Sequence, residues 1–140
     1  MWGVLSRREI EELMKRDPPI VEGAKEEQIQ PNGVDLTISK VFRFTGHGKI
    51  GIDNRTLAQY EEVEFRNGWV KLEAGAYKIV FNEIVNIPLD LMGMAMPRST
   101  LLRCGATVLN AVWDAGYRGR SEALLVVFNE KGIEIEKGAR

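Results

Sequence analysis

Apolar residues Ile10, Leu13 and Met14 share one face of a helical repeat that begins just after Ser6-Arg7-Arg8-Glu9. That tetrad is a capping box, in which the Ser6 hydroxyl and the Glu9 carboxylate satisfy each other's exposed backbone donors. Asp17-Pro18-Pro19 cannot continue the repeat, so the spacing predicts one short N-terminal helix of about three turns. Downstream the period drops to two. Val34, Leu36 and Ile38 alternate with Asp35, Thr37 and Ser39; Val63 and Phe65 alternate with Glu62 and Glu64; Tyr77, Ile79 and Phe81 alternate with Lys78 and Val80. Each set reads as a short strand with one wet face. Two uncharged runs, Leu91-Met92-Gly93-Met94-Ala95-Met96 and Ala123-Leu124-Leu125-Val126-Val127-Phe128, are of strand length and predict strands covered on both faces. Asn32-Gly33, Asn67-Gly68 and Lys131-Gly132 mark turns. Many short strands and one helix predict an all-β barrel or jelly-roll-like sandwich.

Length and composition narrow the class. At 140 residues and 44% hydrophobic content the chain reads as a single domain, residues 1–140, with no internal repeat or linker. Its 19 basic residues against 20 acidic give a net charge of −1, without the electrostatic footprint that a nucleic-acid polymer or an anionic membrane requires. No apolar run approaches the roughly 18 residues that span a bilayer, and the N-terminus lacks the apolar core of a secretory leader. With Cys104 as the one cysteine, a cytoplasmic setting is expected. One cysteine and one histidine cannot supply the ligands of a zinc-dependent nucleotide deaminase. His47, within Thr45-Gly46-His47-Gly48, reads as a solvated loop residue.

The chemistry concentrates in two places. Arg98-Ser99-Thr100, with Arg103 close behind, gathers guanidinium and hydroxyl donors suited to phosphate, although an Arg-Ser-Thr run alone is common on surface loops. Further on, Asp114-Ala115-Gly116-Tyr117 reads as a two-residue turn whose neck carries a carboxylate and an aromatic ring on the same side. Such a pair can hold a nucleoside. Asp114 can equally be a structural turn residue, and Asp35 a strand-start carboxylate accepting turn N–H groups.

Three phrases in order, Pro31-Asn32-Gly33-Val34-Asp35-Leu36, Pro97-Arg98-Ser99-Thr100-Leu101-Leu102-Arg103-Cys104-Gly105 and Trp113-Asp114-Ala115-Gly116-Tyr117-Arg118-Gly119, resemble the first three motifs of the dUTPase and dCTP deaminase superfamily. Leu72-Glu73-Ala74-Gly75-Ala76-Tyr77, with Glu83 and Ile87-Pro88-Leu89-Asp90, resembles that family's lead-in to its second motif. The N-terminal helix is similar to that of dCTP deaminases and of the archaeal dUTPases that share their architecture. The resemblance implies a distorted jelly-roll of β-clip type, a homotrimer with sites between subunits, dUTP as substrate and Mg2+ as cofactor. By that pattern Arg98, Ser99 and Thr100 hold the triphosphate, and Arg103 contacts phosphate or supports the loop. Asp35 organises magnesium through water. Asp114 activates the water that attacks the α-phosphorus, Tyr117 packs on the deoxyribose, and backbone groups near Asn110 and Ala111 read the uracil edge.

The resemblance spans two chemistries. Deaminases of this superfamily place a glutamate five residues beyond the glycine that closes the third motif; here, counting from Gly119, that position is Leu124, or Val126 if a two-residue insertion is allowed. Glu122 is the nearest carboxylate, and a two-residue shift preserves strand facing. The expectation is therefore dUTP hydrolysis, with a dCTP deaminase or bifunctional enzyme as the alternative. A non-catalytic nucleotide-binding trimer is a further alternative, because the chain stops at Gly138-Ala139-Arg140, where the family's fourth motif begins, without the closing strand and the C-terminal arm.

Overall fold

In the computed structural model, which describes residues 3–140, the capping box forms: Ser6 N donates to Glu9 Oε2 at 2.8 Å and Glu9 N donates to Ser6 Oγ at 3.4 Å. Helix α1 (Arg7–Met14) follows, burying Ile10 and Leu13. The leader reading rests in part on Met1 and Trp2, which lie outside the described residues. Among the described residues no helix is long and apolar enough to cross a membrane.

After α1 the chain forms strands β1 (Val21–Glu22), β2 (Ile29–Gln30), β3 (Gly33–Val34), β4 (Ile38–Phe44), β5 (Lys49–Ile50), β6 (Arg55–Thr56), β7 (Tyr60–Val63), β8 (Trp69–Leu72) and β9 (Gly75–Asn86). Helix α2 (Ser99–Arg103) then leads to β10 (Ala106–Leu109), β11 (Arg118–Val127) and β12 (Ile133–Glu136). The expected mainly-β architecture is present. The large antiparallel sheet runs β10-β11-β9-β4-β7, with β1 also on β9, and β8 pairs separately with β12.

β9 is the axis of the sheet. Its first half pairs with β11 on one edge and β4 on the other, and its second half pairs with β11 and β1. Tyr77, Ile79 and Phe81 are buried as their alternation predicts, joined by Val41, Leu125 and Val127 of neighbouring strands and by Val70 and Leu72 of β8. Burying each such side chain contributes about 1.5–3 kcal/mol of transfer free energy, which fixes the register of the strands that carry them. Between the two halves the β9–β11 register shifts: Arg120 faces Ile84 but Glu122 faces Val80, so the β9 residues 81–83 sit opposite Ser121 alone. A bulge of this kind bends a strand and re-aims its side chains.

Four expectations from the pattern need correction. Residues 34–39 are not one strand: β3 ends at Val34 and β4 starts at Ile38, because the Asp35 backbone bonds to Gln28 and Thr37 N–H to the Glu83 side chain in place of a regular ladder. Residues 91–96 form no strand either. Prolines at 88 and 97 bracket the run and both edges of β11 are taken, so its one ladder contact is a bridge between Gly93 and Trp113. Met92, Met94 and Met96 are exposed. The run at 123–128 is a strand as far as Val127, but only Ala123, Leu125 and Val127 are deeply buried, and Phe128 is 70% exposed. The first hairpin turns at Pro31 and Asn32, with Gly33 already paired to Gln30, whereas Asn67 and Gly68 turn as predicted, both with positive φ.

Candidate active site

Arg98, in extended conformation, is the N-cap of α2, and Ser99 and Thr100 open that helix. All three are exposed. No side chain caps the helix; Leu101 N and Leu102 N bond to Arg98 O, which leaves the Ser99 and Thr100 N–H groups for a bound anion to satisfy. Arg103 lies in the last turn, and among the described residues no hydrogen bond or ion pair joins it to Arg98 or Asp35.

Asp35 meets this cluster. Its Oδ2 lies 3.6 Å from Arg98 Nε and 3.7 Å from the guanidinium of Arg140. Both separations exceed hydrogen-bond length, and Oδ2 is buried without a hydrogen-bond partner. Two guanidinium groups around one carboxylate leave a positive surplus, which suits a polyanion. The backbone of Asp35 is clamped on both sides, its N–H donating to Gln28 O and its C=O accepting from Gln28 Nε2, each at 2.8 Å. The sequence reading placed Asp35 on an alternating strand; the structure places it in the break between β3 and β4. Arg140 arrives because Ile38 N donates to Ala139 O and Gly138 N to Ile38 O, both at 3.0 Å, and its NH1 also donates to Glu27 O at 2.8 Å.

The backbone turn at Ala115 and Gly116 forms where the sequence places it. Tyr117 N donates to Asp114 O at 3.0 Å across Ala115 and Gly116, and Gly116 takes φ +80°, the position a type II turn reserves for glycine. The Tyr117 hydroxyl folds back over Gly119, where an added Cβ would stand 2.8 Å from it, so only glycine leaves room for this ring pose. The preceding residue is fixed too. Trp113 exchanges backbone bonds with Gly93 at 2.9 Å in both directions, and its Nε1 donates to the buried Ser121 Oγ at 2.6 Å. Asp114 is thus exposed on a pinned backbone, with no side-chain partner among the described residues. No hydrogen bond or ion pair among the described residues links Asp114 or Tyr117 to the Arg98 cluster.

Asn110 follows β10, half-buried, and its Oδ1 is buried without a partner. Glu122 is already engaged: its Oε1 accepts from Lys78 Nζ at 2.9 Å, and that ammonium lies 3.6 Å from the Tyr60 ring centroid and 4.8 Å from that of Phe42. Leu124 and Val126 share its face of β11, half-buried. His47 is an exposed loop residue, as expected.

The sequence reading missed the working positions of Arg140, Ser121 and Glu83. A signal existed for Glu83, since its position continues the buried phase of Tyr77, Ile79 and Phe81, where a carboxylate has no business unless it is hydrogen-bonded.

A sequence profile of the dCTP deaminase-like family matches residues 4–140. The chain is 49% identical over 143 residues to a probable deoxyuridine 5′-triphosphate nucleotidohydrolase of Methanosarcina mazei, covering 99% of this chain and 84% of that protein. It is 50% identical over 141 residues to the protein of the same description from Archaeoglobus fulgidus, with 99% and 83% covered. A crystal structure of 2′-deoxycytidine 5′-triphosphate deaminase from Agrobacterium tumefaciens superposes with a TM-score of 0.68 at 20% identity, covering 97% of this chain and 45% of that one. Fold, motif order and sequence agree: the chain belongs to the dCTP deaminase-like family.

Proposed function

We propose that this protein hydrolyses dUTP to dUMP and pyrophosphate, with Asp114 as general base. The observation that carries the reading is the setting of Asp114, an exposed carboxylate without a side-chain partner, held at the neck of a turn beside Tyr117. Asp114 takes a proton from water; the water oxygen bonds to the α-phosphorus, and the bond from that phosphorus to the bridging oxygen of the β-phosphate breaks, releasing pyrophosphate. General-base assistance of this kind contributes roughly 10²–10⁴ in rate. Arg98, Ser99 and Thr100 hold the phosphates, with Arg103 as a further cation, and meet the charge that grows on their oxygens. Tyr117 packs on the deoxyribose. Backbone groups near Asn110 and Ala111 read the base edge. The substrate follows the description of the archaeal relatives at 49% and 50% identity.

The donor set suits magnesium carried by the phosphates. Mg2+ keeps several waters and is commonly bound through one or two carboxylates plus substrate phosphates. Asp35 supplies one such carboxylate, with an orphaned buried oxygen, and no group of three or more His, Cys, Asp or Glu residues able to hold a metal occurs among the described residues. Asp35 would hold such an ion through water, and the ion would supply positive charge to the phosphate oxygens.

A homotrimer completes this reading. The Arg98 and Asp114 clusters are not joined within one chain, and Met92, Met94 and Met96 present apolar surface that a second subunit would cover. The same reading puts the enzyme in the cytoplasm.

Deamination has weaker support, since Leu124 or Val126 stands at the deaminase glutamate position and Glu122 is paired to Lys78. Incubation with dUTP and with dCTP in magnesium buffer decides the matter. The proposal expects dUMP and pyrophosphate from dUTP and no ammonia from dCTP. Ammonia with dUTP as product from dCTP would identify a deaminase, and no turnover of either would leave a binding scaffold.

A further inference from the structure

Glu83 is 2% exposed and, among the described residues, has no cationic partner, yet its carboxylate is fully engaged. Thr37 N donates to Oε2 at 2.9 Å, while Thr37 Oγ1 at 2.6 Å and Gln28 Nε2 at 2.9 Å both donate to Oε1. The Thr37 hydroxyl itself accepts from Asn82 Nδ2 at 2.9 Å, which leaves its proton for Glu83. All four donors therefore have a fixed direction.

These partners bracket Asp35. Gln28 Nε2, held by Glu83, also donates to Asp35 O, and Thr37 lies two residues beyond it. Glu83 reaches this segment from the β9 bulge, at the stretch where neither β4 nor β1 occupies that edge of the strand. Within the break, Thr37 N–H thus bonds to Glu83, the Asp35 backbone bonds to the Gln28 that Glu83 holds, and Thr37 O accepts from Asn82 N at 2.9 Å.

We propose that Glu83 is a positioning residue that sets the place of Asp35 against Arg98 and Arg140. It touches no substrate and acts through Gln28 and Thr37. The inference rests on the reading of Asp35 as part of the phosphate site. Groups in this supporting role typically change metal affinity or activity by about 10–100-fold when altered.

Glu83→Gln tests it, because the amide is the same size but turns one acceptor into a donor that must face Thr37 or Gln28. Folding is monitored by thermal melting. dUTP hydrolysis is measured over a range of magnesium concentrations for Glu83→Gln, Asp35→Asn and the double variant. We expect Glu83→Gln to lower kcat/KM by about 10–100-fold and to raise the magnesium needed for half-maximal rate. The double variant should be no worse than Asp35→Asn alone. Multiplying losses, or a wild-type kcat/KM and magnesium response in Glu83→Gln, would overturn the inference. If Glu83→Gln does not fold, Thr37→Val, which removes only the hydroxyl donor, is put through the same comparison. If Asp35→Asn alone leaves hydrolysis unchanged, the reading of Asp35 has failed. Amide hydrogen exchange then decides the role of Glu83: faster exchange at Asp35 and Thr37 in Glu83→Gln upholds it, and unchanged exchange refutes it.

Discussion

Asp35, Glu83, Asp114 and Glu122 are carboxylates in different settings, and the settings assign their work. Asp35 lies between guanidinium groups, Glu83 is saturated by neutral donors, Asp114 has no side-chain partner among the described residues, and Glu122 holds a lysine. Burial alone would lower the pKa of Lys78, but the hydrogen bond and charge of Glu122, with Tyr60 beside the ammonium, outweigh it and raise the value above the usual lysine range. A raised pKa stabilises the fold below the unfolded value, and that contribution fades as pH climbs through the folded one. Because the Glu122 side chain is 57% exposed, the pair contributes only about 0–1 kcal/mol. Glu122→Gln should therefore lower stability by less than about 1 kcal/mol in urea unfolding at neutral pH and leave dUTP hydrolysis at its original rate. A large loss of activity would give Glu122 a role in chemistry that the structure does not support. These settings were only partly legible in the sequence. Arg98, Asp114 and Tyr117 stand out through composition and turn chemistry. The pairing of Glu122 with Lys78 and the approach of Arg140 to Asp35 depend on strand register and chain crossing, which no local pattern carries.

Among the elements, α1 and β9 were readable because each has a clear period, 3.6 in one and two in the other. Residues 34–39 kept the same alternation and broke nonetheless, since a buried carboxylate from β9 competed for the backbone. Residues 91–96 were misread because an apolar run does not reveal whether a partner edge is available. The capping of α1 gives a pH test. The backbone hydrogen bond from Ser6, and then its side-chain bond, hold the Glu9 pKa below 4.5. A depressed carboxylate pKa stabilises the folded form above the unfolded value, and that contribution disappears as pH falls through the folded one. Amide exchange in the first turn of α1 should quicken as pH drops below 4.5, relative to an intrinsic-rate reference, while the β9 core stays protected. Glu9→Gln should flatten that response; an equally steep response in the variant would exclude Glu9 as its source.

At the scale of the molecule, the sheet built on β9 supports both chemical clusters. The β3–β4 break brings Asp35 to one of its edges, and the first residues of β11, Arg118–Arg120, which precede the bulge at Ser121, follow directly on the Asp114 turn. Trp113 ties that turn to Ser121 and to Gly93, so the backbone carrying the base cannot drift independently of the sheet. The methionines at 92, 94 and 96 run from this tether toward Arg98 and carry exposed apolar surface. The central claim is that a carboxylate on this tethered turn primes water against a bound triphosphate. Asp114→Asn examines it directly, with dUTP turnover and binding of a non-hydrolysable dUTP analogue measured on the same assembled preparation. The account predicts a fall in kcat of about 10²–10⁴ with analogue affinity nearly unchanged; turnover at the original rate would contradict it.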